Sequence, residues 1–188
     1  MKKSKGERNI MNKLIIAIAL LPALLLADDR KPIHVLQPSK EIVEFIAAWE
    51  GFSPTIYACP SGYPTIGYGR KLSVDEVGII NEAGGVLTQH EAMELLHIDV
   101  YVVGMHVKRF IDVPLSQHEF DALVSWTYNC GPGALSASTL REYINMGMFE
   151  EVPGELIRWI YAGGEPLSGL YDRRIEESHI WTHGRYLR

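Results

Sequence analysis

Cysteine is scarce in this chain, with two residues in 188. Two cysteines are too few for a disulfide framework, and no CxxC pair points to a structural zinc site. The chain has no HExxH motif either. His179 and His183 have the i, i+4 spacing of a helical metal pair, but exposed histidines on a C-terminal helix are the simpler interpretation. We therefore expect no metal and no other cofactor.

Positive charge is also scarce once the N-terminus is set aside. Residues 28–188 carry 13 Lys and Arg against 22 Asp and Glu, a net charge of −9. Nucleic-acid binding depends chiefly on neutralising phosphates, so an acidic domain argues against a nucleic-acid partner. A polyanionic target would have to be held by contacts with specific groups and not by bulk attraction.

One long apolar run is present, from Leu14 to Ala27, and charged residues flank it on both sides. Its 14 residues, interrupted by Pro22, are too few to span a bilayer comfortably as a permanent helix. We interpret residues 1–27 as a secretory signal cleaved after Ala27, or as a weak membrane anchor that is released later. A buried core helix is disfavoured because the run is apolar on every face. We therefore expect the protein to be exported to the periplasm or the cell exterior. Met11 is a plausible alternative translation start.

The remaining chain has the size of one domain with a single core. Residues 28–38 are polar and form a predicted linker, and residues 39–188 form the predicted domain, which we expect to be a monomer.

A helix is predicted to open the domain. Ser39 can cap it, and apolar residues recur at helical spacing from Ile42 to Trp49. Glu50 follows on the same apolar face, and Gly51 is a natural terminator. Partial burial would raise the pKa of this carboxyl group, as a general acid requires. A glutamate at the rim of the fold, paired with an arginine, explains the helix pattern equally well.

A β-hairpin is predicted directly after this helix. The segment "TIYAC" alternates like a strand, "CPSG" has the residues of a tight turn, and "YPTIGYG" returns as a second strand. The hairpin would bring Thr65 near Cys59 and both near the helix end that carries Glu50. A proton donor, a thiol and a hydroxyl would then face one cleft.

The rest of the chain has the pattern of helices. Capping boxes at Thr88 and Ser116 open two amphipathic segments, the second ending at Gly131. Shorter helices are predicted over 139–146, 155–161 and 170–181. The predicted fold class is α+β, with a mostly helical lobe, a small β-hairpin lobe and a cleft between them.

Several motifs in order resemble the phage-type lysozymes, or endolysins, of glycoside hydrolase family 24. The family pattern is Glu, eight residues, Asp or occasionally Cys, five residues, Thr, and Glu50, Cys59 and Thr65 fit it without a gap. The similarity continues over roughly residues 39–182, through "LTQHEAMELL", "VPLSQHEFDALVSWTYNCGPGAL", "STL", "RWIYAGG" and "GLYDRRIEE".

The resemblance implies a lysozyme-like fold and hydrolysis of the β-1,4 bond between N-acetylmuramic acid and N-acetylglucosamine in peptidoglycan, leading to wall degradation and host lysis. It implies that Glu50 is the general acid and that Cys59 acts on the opposite face of the sugar, as base or nucleophile. Thr65 would position the water. It also implies that Arg173, more than Arg174, pairs with Glu50, and that this cation opposes the effect of burial on the carboxyl pKa.

Tyr57 and Arg70 are predicted to support or bind the substrate. The chain departs from the family pattern at Arg70, where histidine is more common, and at Cys59, which replaces the commoner aspartate. A thiol is mostly protonated at neutral pH unless a neighbour such as Arg70 lowers its pKa. As a thiolate, Cys59 would be a strong nucleophile and favour retention of configuration. Its oxidation in an oxidising compartment would switch the enzyme off.

Other interpretations also fit the sequence. Cys59 is alternatively an indifferent turn residue, whereas Cys130 is predicted to be a buried packing residue. The protein is alternatively a non-catalytic module that binds peptidoglycan glycan strands. A thiol amidase would need a histidine base, and neither His34 nor His90 lies in a familiar Cys/His motif.

Overall fold

The structure, a computed structural model, describes residues 29–186. The predicted signal or anchor, residues 1–27, lies outside them. The chain divides into two units after Arg30, and the fold below is that of the second unit. No helix among the described residues is both long and apolar enough to cross a membrane.

The domain begins earlier in the chain than the composition indicates. Lys31 and Leu115 exchange backbone hydrogen bonds of 2.8 and 3.0 Å. A 3-10 turn follows at Ile33–Val35, and the side chain of Leu36 is buried in the core. Most of the segment 28–38, predicted as a linker, is therefore fixed to the folded domain.

Helix α1 spans Lys40–Glu50, as its pattern predicts. The Ser39 hydroxyl oxygen accepts a hydrogen bond from the backbone N–H of Ile42 at 3.1 Å, which satisfies one free donor of the first turn. Gly51, with φ of 71°, ends the helix in a conformation that favours glycine. Glu50 is thus fixed as the last helical residue.

A three-stranded antiparallel sheet follows, with strands β1 (Ser53–Ala58), β2 (Pro64–Gly67) and β3 (Arg70–Lys71) in that order. The hairpin of β1 and β2 confirms the predicted one and pairs Tyr57 with Thr65. The third strand has only two residues, too few for a period-2 pattern to reveal. It places Lys71 opposite Thr65.

The remaining elements within the described residues are seven α-helices, a 3-10 turn at Phe149–Glu151 and one short hairpin. The helices are α2 (Val74–Glu82), α3 (Gln89–Phe110), α4 (Gln117–Cys130), α5 (Pro132–Ser136), α6 (Thr139–Asn145), α7 (Val152–Ile157) and α8 (Ser168–His183). The hairpin joins β4 (Tyr161–Ala162) to β5 (Glu165–Pro166).

Both predicted capping boxes are confirmed, at Thr88 for α3 and at Ser116 for α4. Helix α2 was not predicted, although Ser73 and Glu76 form a third capping box at its start. The predicted helix 155–161 is wrong at its C-terminal end, because residues from Tyr161 onward pair as strands around a turn.

Helix α4 forms the centre of the core. Nine consecutive residues from Glu119 to Thr127 are buried, so every face of this helix is covered. It packs mainly against α8 and α3. The buried apolar residues of all elements include Ile42, Phe45, Ile46, Leu96, Val100, Val107, Leu115, Phe120, Leu123, Trp126, Leu135, Leu140, Ile144 and Ile180. A mostly helical body with one small sheet confirms the α+β fold class.

Candidate active site

Glu50 is held in place by an arginine from the last helix. Arg173 Nη1 donates a hydrogen bond to Glu50 Oε1 at 2.7 Å, across 123 residues of sequence. The Glu50 side chain is 23% exposed, while that of Arg173 is 4% exposed. One carboxylate oxygen is therefore fixed by a buried cation, and the group as a whole retains contact with solvent.

Arg173 is itself fixed by a buried carboxylate, Glu177, which was not among the residues predicted from the sequence. Its Nε donates to Glu177 Oε1 at 3.3 Å, and the Ser125 hydroxyl donates to the same oxygen at 2.7 Å. Arg174 Nε lies 3.0 Å from Glu177 Oε2. The spacing of Arg173, Arg174 and Glu177 at i, i+1 and i+4 on one helix was the available signal for this network.

Arg174 has a different role from its neighbour. It donates to Asn129 Oδ1 at 2.9 Å and to Cys130 Sγ at 3.1 Å, both at the end of α4. It therefore ties α8 to α4, and Arg173 is the arginine that reaches Glu50. Burial raises the pKa of the half-buried Cys130 thiol, while Arg174 opposes this.

Residues of α8, of the sheet and of α4 also lie near the end of α1. Trp49 Nε1 donates to Glu176 Oε2 at 3.0 Å, which joins α1 to α8 a second time. A Cβ added to Gly69 would lie 3.5 Å from Glu50 Oε2, so the sheet passes close to the carboxylate. Burial raises the pKa of Tyr128, and the Glu50 charge adds to this effect. Glu50 thus lies where α1, α4, α8 and the sheet meet.

Cys59 and Thr65 lie at the turn of the first hairpin. The backbone N–H of Cys59 donates to Tyr63 O at 2.9 Å, and Gly62 N–H donates to Cys59 O at 2.7 Å. The Thr65 hydroxyl donates a hydrogen bond to Tyr63 O at 3.0 Å. Thr65 as a whole is 1% exposed. The Thr65 hydroxyl also interacts with the Cys59 thiol. The hairpin therefore brings these two side chains together.

The pKa of the Cys59 thiol lies below its ordinary value. Burial raises this pKa, but interactions with the backbone of Tyr63 and Ser61 and with the Thr65 hydroxyl lower it by more, and the charge of Lys71 adds to the lowering. The cation that acts on the thiol is Lys71, the register partner of Thr65 on β3, and not the predicted Arg70. A larger thiolate fraction at neutral pH follows.

Arg70 forms a clamp between the sheet and two helices. Its guanidinium donates to Glu76 Oε1 of α2 at 2.7 Å and to Asp99 Oδ1 of α3. Burial raises the pKa of Asp99, and the Arg70 charge opposes this rise. Arg70 thus holds β3, and with it Lys71 and the Thr65 region, against the helical body.

We expect the Arg70 clamp to contribute stability that is lost in acid. The ordinary carboxyl pKa of Glu76 is lowered to about 2, by hydrogen bonds from the backbone of Ser73, from Arg70 and from the Ser73 hydroxyl. Its contribution is therefore complete above the unfolded-state pKa and disappears as the pH falls towards 2. Glu76→Gln should lower the free energy of unfolding at neutral pH by about 1 kcal/mol, a figure reduced for partial exposure.

Urea unfolding measured from neutral pH to pH ~2.5 checks this expectation. The matched control is Glu91→Gln, since Glu91 completes the equivalent capping box with Thr88 on α3 but has no arginine partner among its described contacts. A pH-independent loss for Glu76→Gln, or a loss no larger than that of the control, would contradict the clamp.

The other predicted residues have these positions. Tyr57 is 41% exposed on β1, opposite Thr65, and is thus accessible to a ligand. His179 and His183 lie on α8 with their rings 6.2 Å apart, and both are exposed. Among the described residues, no group of three or more His, Cys, Asp or Glu is placed to hold a metal ion.

A mostly helical domain with a glutamate at the end of its first helix and a small sheet directly after it defines a lysozyme-like protein. The chain belongs to the phage lysozyme family, whose model matches residues 47–177. The match includes Glu50, Cys59, Thr65 and Arg173.

Two relatives and one solved structure illustrate the similarity. The chain is 35% identical over 144 residues to the endolysin of Bacillus phage B103, covering 76% of this chain and 52% of that protein. It is 35% identical over 92 residues to the SAR-endolysin of Escherichia phage Mu, covering 49% of this chain and 54% of that protein. The chain thus spans about half the length of each.

The solved structure is an endolysin from the Escherichia coli O157:H7 phage FAHEc1. Its TM-score is 0.70 at 30% sequence identity, and the superposition covers 82% of this chain and 98% of the other. The fold of this chain is therefore that of a phage endolysin over nearly the whole of the solved protein.

Proposed function

We propose that this protein is an endolysin-type muramidase that hydrolyses the β-1,4 bond between N-acetylmuramic acid and N-acetylglucosamine in peptidoglycan. The observation that carries the proposal is the partly exposed carboxylate of Glu50, fixed by buried Arg173 and directly followed by the hairpin of Cys59 and Thr65. Membership of the phage lysozyme family supports it.

Glu50 acts as the general acid in this proposal. It donates a proton to the glycosidic oxygen as the bond to the leaving sugar breaks, a role worth about 10²- to 10⁴-fold in rate. Arg173 is 2.7 Å from one carboxylate oxygen, so it orients the carboxyl group and stabilises the negative charge left after proton transfer.

Cys59 supplies the second function of the pair. Its pKa is lowered by hydrogen bonds and by Lys71, which favours the thiolate. A thiolate that attacks the anomeric carbon forms a covalent intermediate and gives retention, whereas a thiolate that takes a proton from a water held by Thr65 gives inversion. Both routes need negative charge at position 59. The anomeric configuration of the first product distinguishes them.

The pair Cys59→Asp and Cys59→Ser tests the need for charge. We expect the aspartate variant to keep activity within about tenfold of wild type, because its carboxylate is ionised at neutral pH. The serine variant should lose about 10²-fold or more, since a hydroxyl of similar size is neither a base nor a ready nucleophile. Release of soluble muropeptides from purified peptidoglycan is the measurement.

Cys130→Ser is the matched control, because Cys130 lies at the end of α4 and contacts Arg174 instead of the hairpin. It should retain wild-type activity. If Cys59→Ser is as active as Cys59→Asp, the charge assigned to Cys59 is wrong and the residue only fills the turn.

Product analysis of digested peptidoglycan tests the function as a whole. New reducing ends ending in N-acetylmuramic acid are expected for a muramidase. New amino groups would instead indicate an amidase, and wall binding without any new ends would indicate a glycan-binding module. Either of the last two results overturns the proposal.

We also propose that the protein acts outside the inner membrane, where peptidoglycan lies. The apolar run from Leu14 to Ala27 supports export or temporary membrane attachment. The similarity to a SAR-endolysin is consistent with this route. The partner is then the glycan strand, with membrane contact through the N-terminal segment and a monomeric domain, and the outcome is wall degradation and lysis of the host.

A further inference from the structure

Helix α3 has an apolar face that is exposed over two turns. Ile98, Tyr101, Val102 and Met105 follow one another at i, i+3, i+4 and i+7, which places them on one side of the helix. Their exposed fractions are 57%, 49%, 40% and 48%. We call these four residues the α3 stripe. A contiguous stripe of large exposed apolar side chains marks an interaction surface more often than a free surface.

A groove of about 390 Å³ adjoins the α3 stripe. Residues from two parts of the chain line it, namely Gln37, Pro38, Val43, His97, Ile98 and Tyr101. Val35, two residues before Gln37 in the chain, is 53% exposed at the end of the 3-10 turn. The stripe and the groove together form one apolar surface.

This surface lies on the side where the chain enters the domain. Lys31, where the chain enters, pairs with Leu115 through its backbone. Gln117, two residues after Leu115, donates a hydrogen bond from Nε2 to the backbone oxygen of Gln37 at 2.8 Å, and Gln37 lines the groove. The apolar run of the sequence ends at Ala27, four residues before Lys31. Four extended residues reach at most about 14 Å. A run inserted in a bilayer would therefore keep this side of the domain close to the lipid surface.

The charged residues near the α3 stripe are less acidic than those of the domain as a whole, which makes the stripe more compatible with an anionic membrane surface. From His97 to Arg109 the only acidic residue is Asp99, and its carboxylate pairs with Arg70. The last turn of α3 carries Lys108 and Arg109. Glu94, one turn before Ile98, is exposed and lies 3.6 Å from His90 Nε2. From Ile98 onward the helix has no unpaired acidic side chain and ends on a basic turn, a composition that anionic lipid interfaces attract.

We propose that the α3 stripe and its groove dock the domain on the surface of a lipid bilayer. Tyr101 and the aliphatic side chains enter the headgroup region, and Lys108 and Arg109 contact anionic headgroups. The residues of this surface include neither Glu50 nor any residue of the N-terminal segment, and its role does not depend on the proposed hydrolysis.

Docking in this way leaves the candidate active site away from the lipid. The groove is at the N-terminal end of α1, through Pro38 and Val43, whereas Glu50 is the last residue of that helix. The axial rise from Lys40 to Glu50 is about 15 Å at 1.5 Å per residue. The bilayer would thus contact one end of α1, and the other end would be free to reach the glycan strand.

Photo-crosslinking in the full chain tests the proposal. The chain is reconstituted in vesicles of phosphatidylethanolamine and phosphatidylglycerol, with p-benzoylphenylalanine in place of Tyr101. The control has the same group in place of Tyr171, a tyrosine of similar exposure on α8, at 46%. Mass spectrometry of the irradiated protein should show lipid adducts at position 101 and none above background at position 171.

A second pair of variants removes the surface without removing the N-terminal segment. Ile98→Asp with Met105→Asp should lower the adduct yield at position 101 about tenfold, since two apolar contacts with lipid are lost. Val74→Asp with Ile79→Asp, at two residues that are 87% and 65% exposed on α2, should leave the yield unchanged. Vesicle association measured by flotation should be the same in all variants, because the N-terminal segment is intact.

Equal adduct yields at positions 101 and 171 would overturn the proposal. A protein–protein adduct of twice the chain mass at position 101 would also overturn it, because it would assign the α3 stripe to contact between copies. An unchanged yield in the Ile98→Asp, Met105→Asp variant would show that the N-terminal segment alone brings lipid to this site, and would equally reject it.

Discussion

Glu50→Gln should reduce the rate of peptidoglycan hydrolysis by about 10²- to 10⁴-fold, because glutamine has the shape of glutamic acid but no proton of suitable acidity to donate. The fold should survive the change, since Arg173 keeps its second carboxylate partner, Glu177. The measurements are the initial rate of muropeptide release and the urea midpoint of the same preparation.

The matched control for this variant is Glu44→Gln. Glu44 lies on the same helix as Glu50, its side chain is 58% exposed, and its ion pair with Lys40 is an ordinary surface pair. Activity of this variant should equal that of wild type. Substantial hydrolysis by Glu50→Gln would remove Glu50 from the chemistry, and retained wall binding in an inactive wild-type protein would favour the glycan-binding module.

Glu177→Gln should be strongly destabilising, by about 3–5 kcal/mol of unfolding free energy, because removal of one partner leaves a buried charge without compensation. The Glu177 side chain has no exposed surface. It pairs with Arg173, whose side chain is 4% exposed, and with Arg174, whose side chain is fully buried. Arg173 would keep Glu50, but Arg174 would lose its only carboxylate partner among the described ion pairs. Activity should also fall, since Arg173 is then free to shift and Glu50 with it.

Glu176→Gln is the control for this prediction. Glu176 is the neighbouring residue on α8 and accepts a hydrogen bond from Trp49 Nε1, which a glutamine oxygen also accepts. Its unfolding free energy should change by about 1 kcal/mol or less. Urea unfolding of both variants at neutral pH is the measurement, and a similar small change in both would show that Glu177 is dispensable to the network.

Local signals in the sequence were sufficient for most of the helices. Ser39, Thr88 and Ser116 each cap a helix where the pattern predicts one, since a cap depends only on residues within one turn. The first hairpin was predicted for the same reason, because its turn residues stand in one short segment. Helix α2 was missed, although Ser73 and Glu76 carry the same capping signal.

Two short strands were also missed or mistaken, and each of them forms only by pairing with an adjacent strand. Strand β3 has two residues and exists because β2 pairs with it. The region predicted as the end of a helix at Tyr161 becomes a strand by pairing with β5. Propensity is a weak prior for such short elements, and tertiary context overrides it.

The sequence was sufficient to predict the family, the acidic charge of the domain, the position of Glu50 at a helix end and the order of the candidate site residues. All of these depend on residue identity and local spacing. Only the folded structure shows that Arg173 reaches Glu50 and that Glu177 holds this arginine. The same is true of the effect of Lys71, not Arg70, on Cys59 and of the exposure of the α3 stripe. Charge pairing and burial depend on distances between segments far apart in the chain, and only packing fixes those distances.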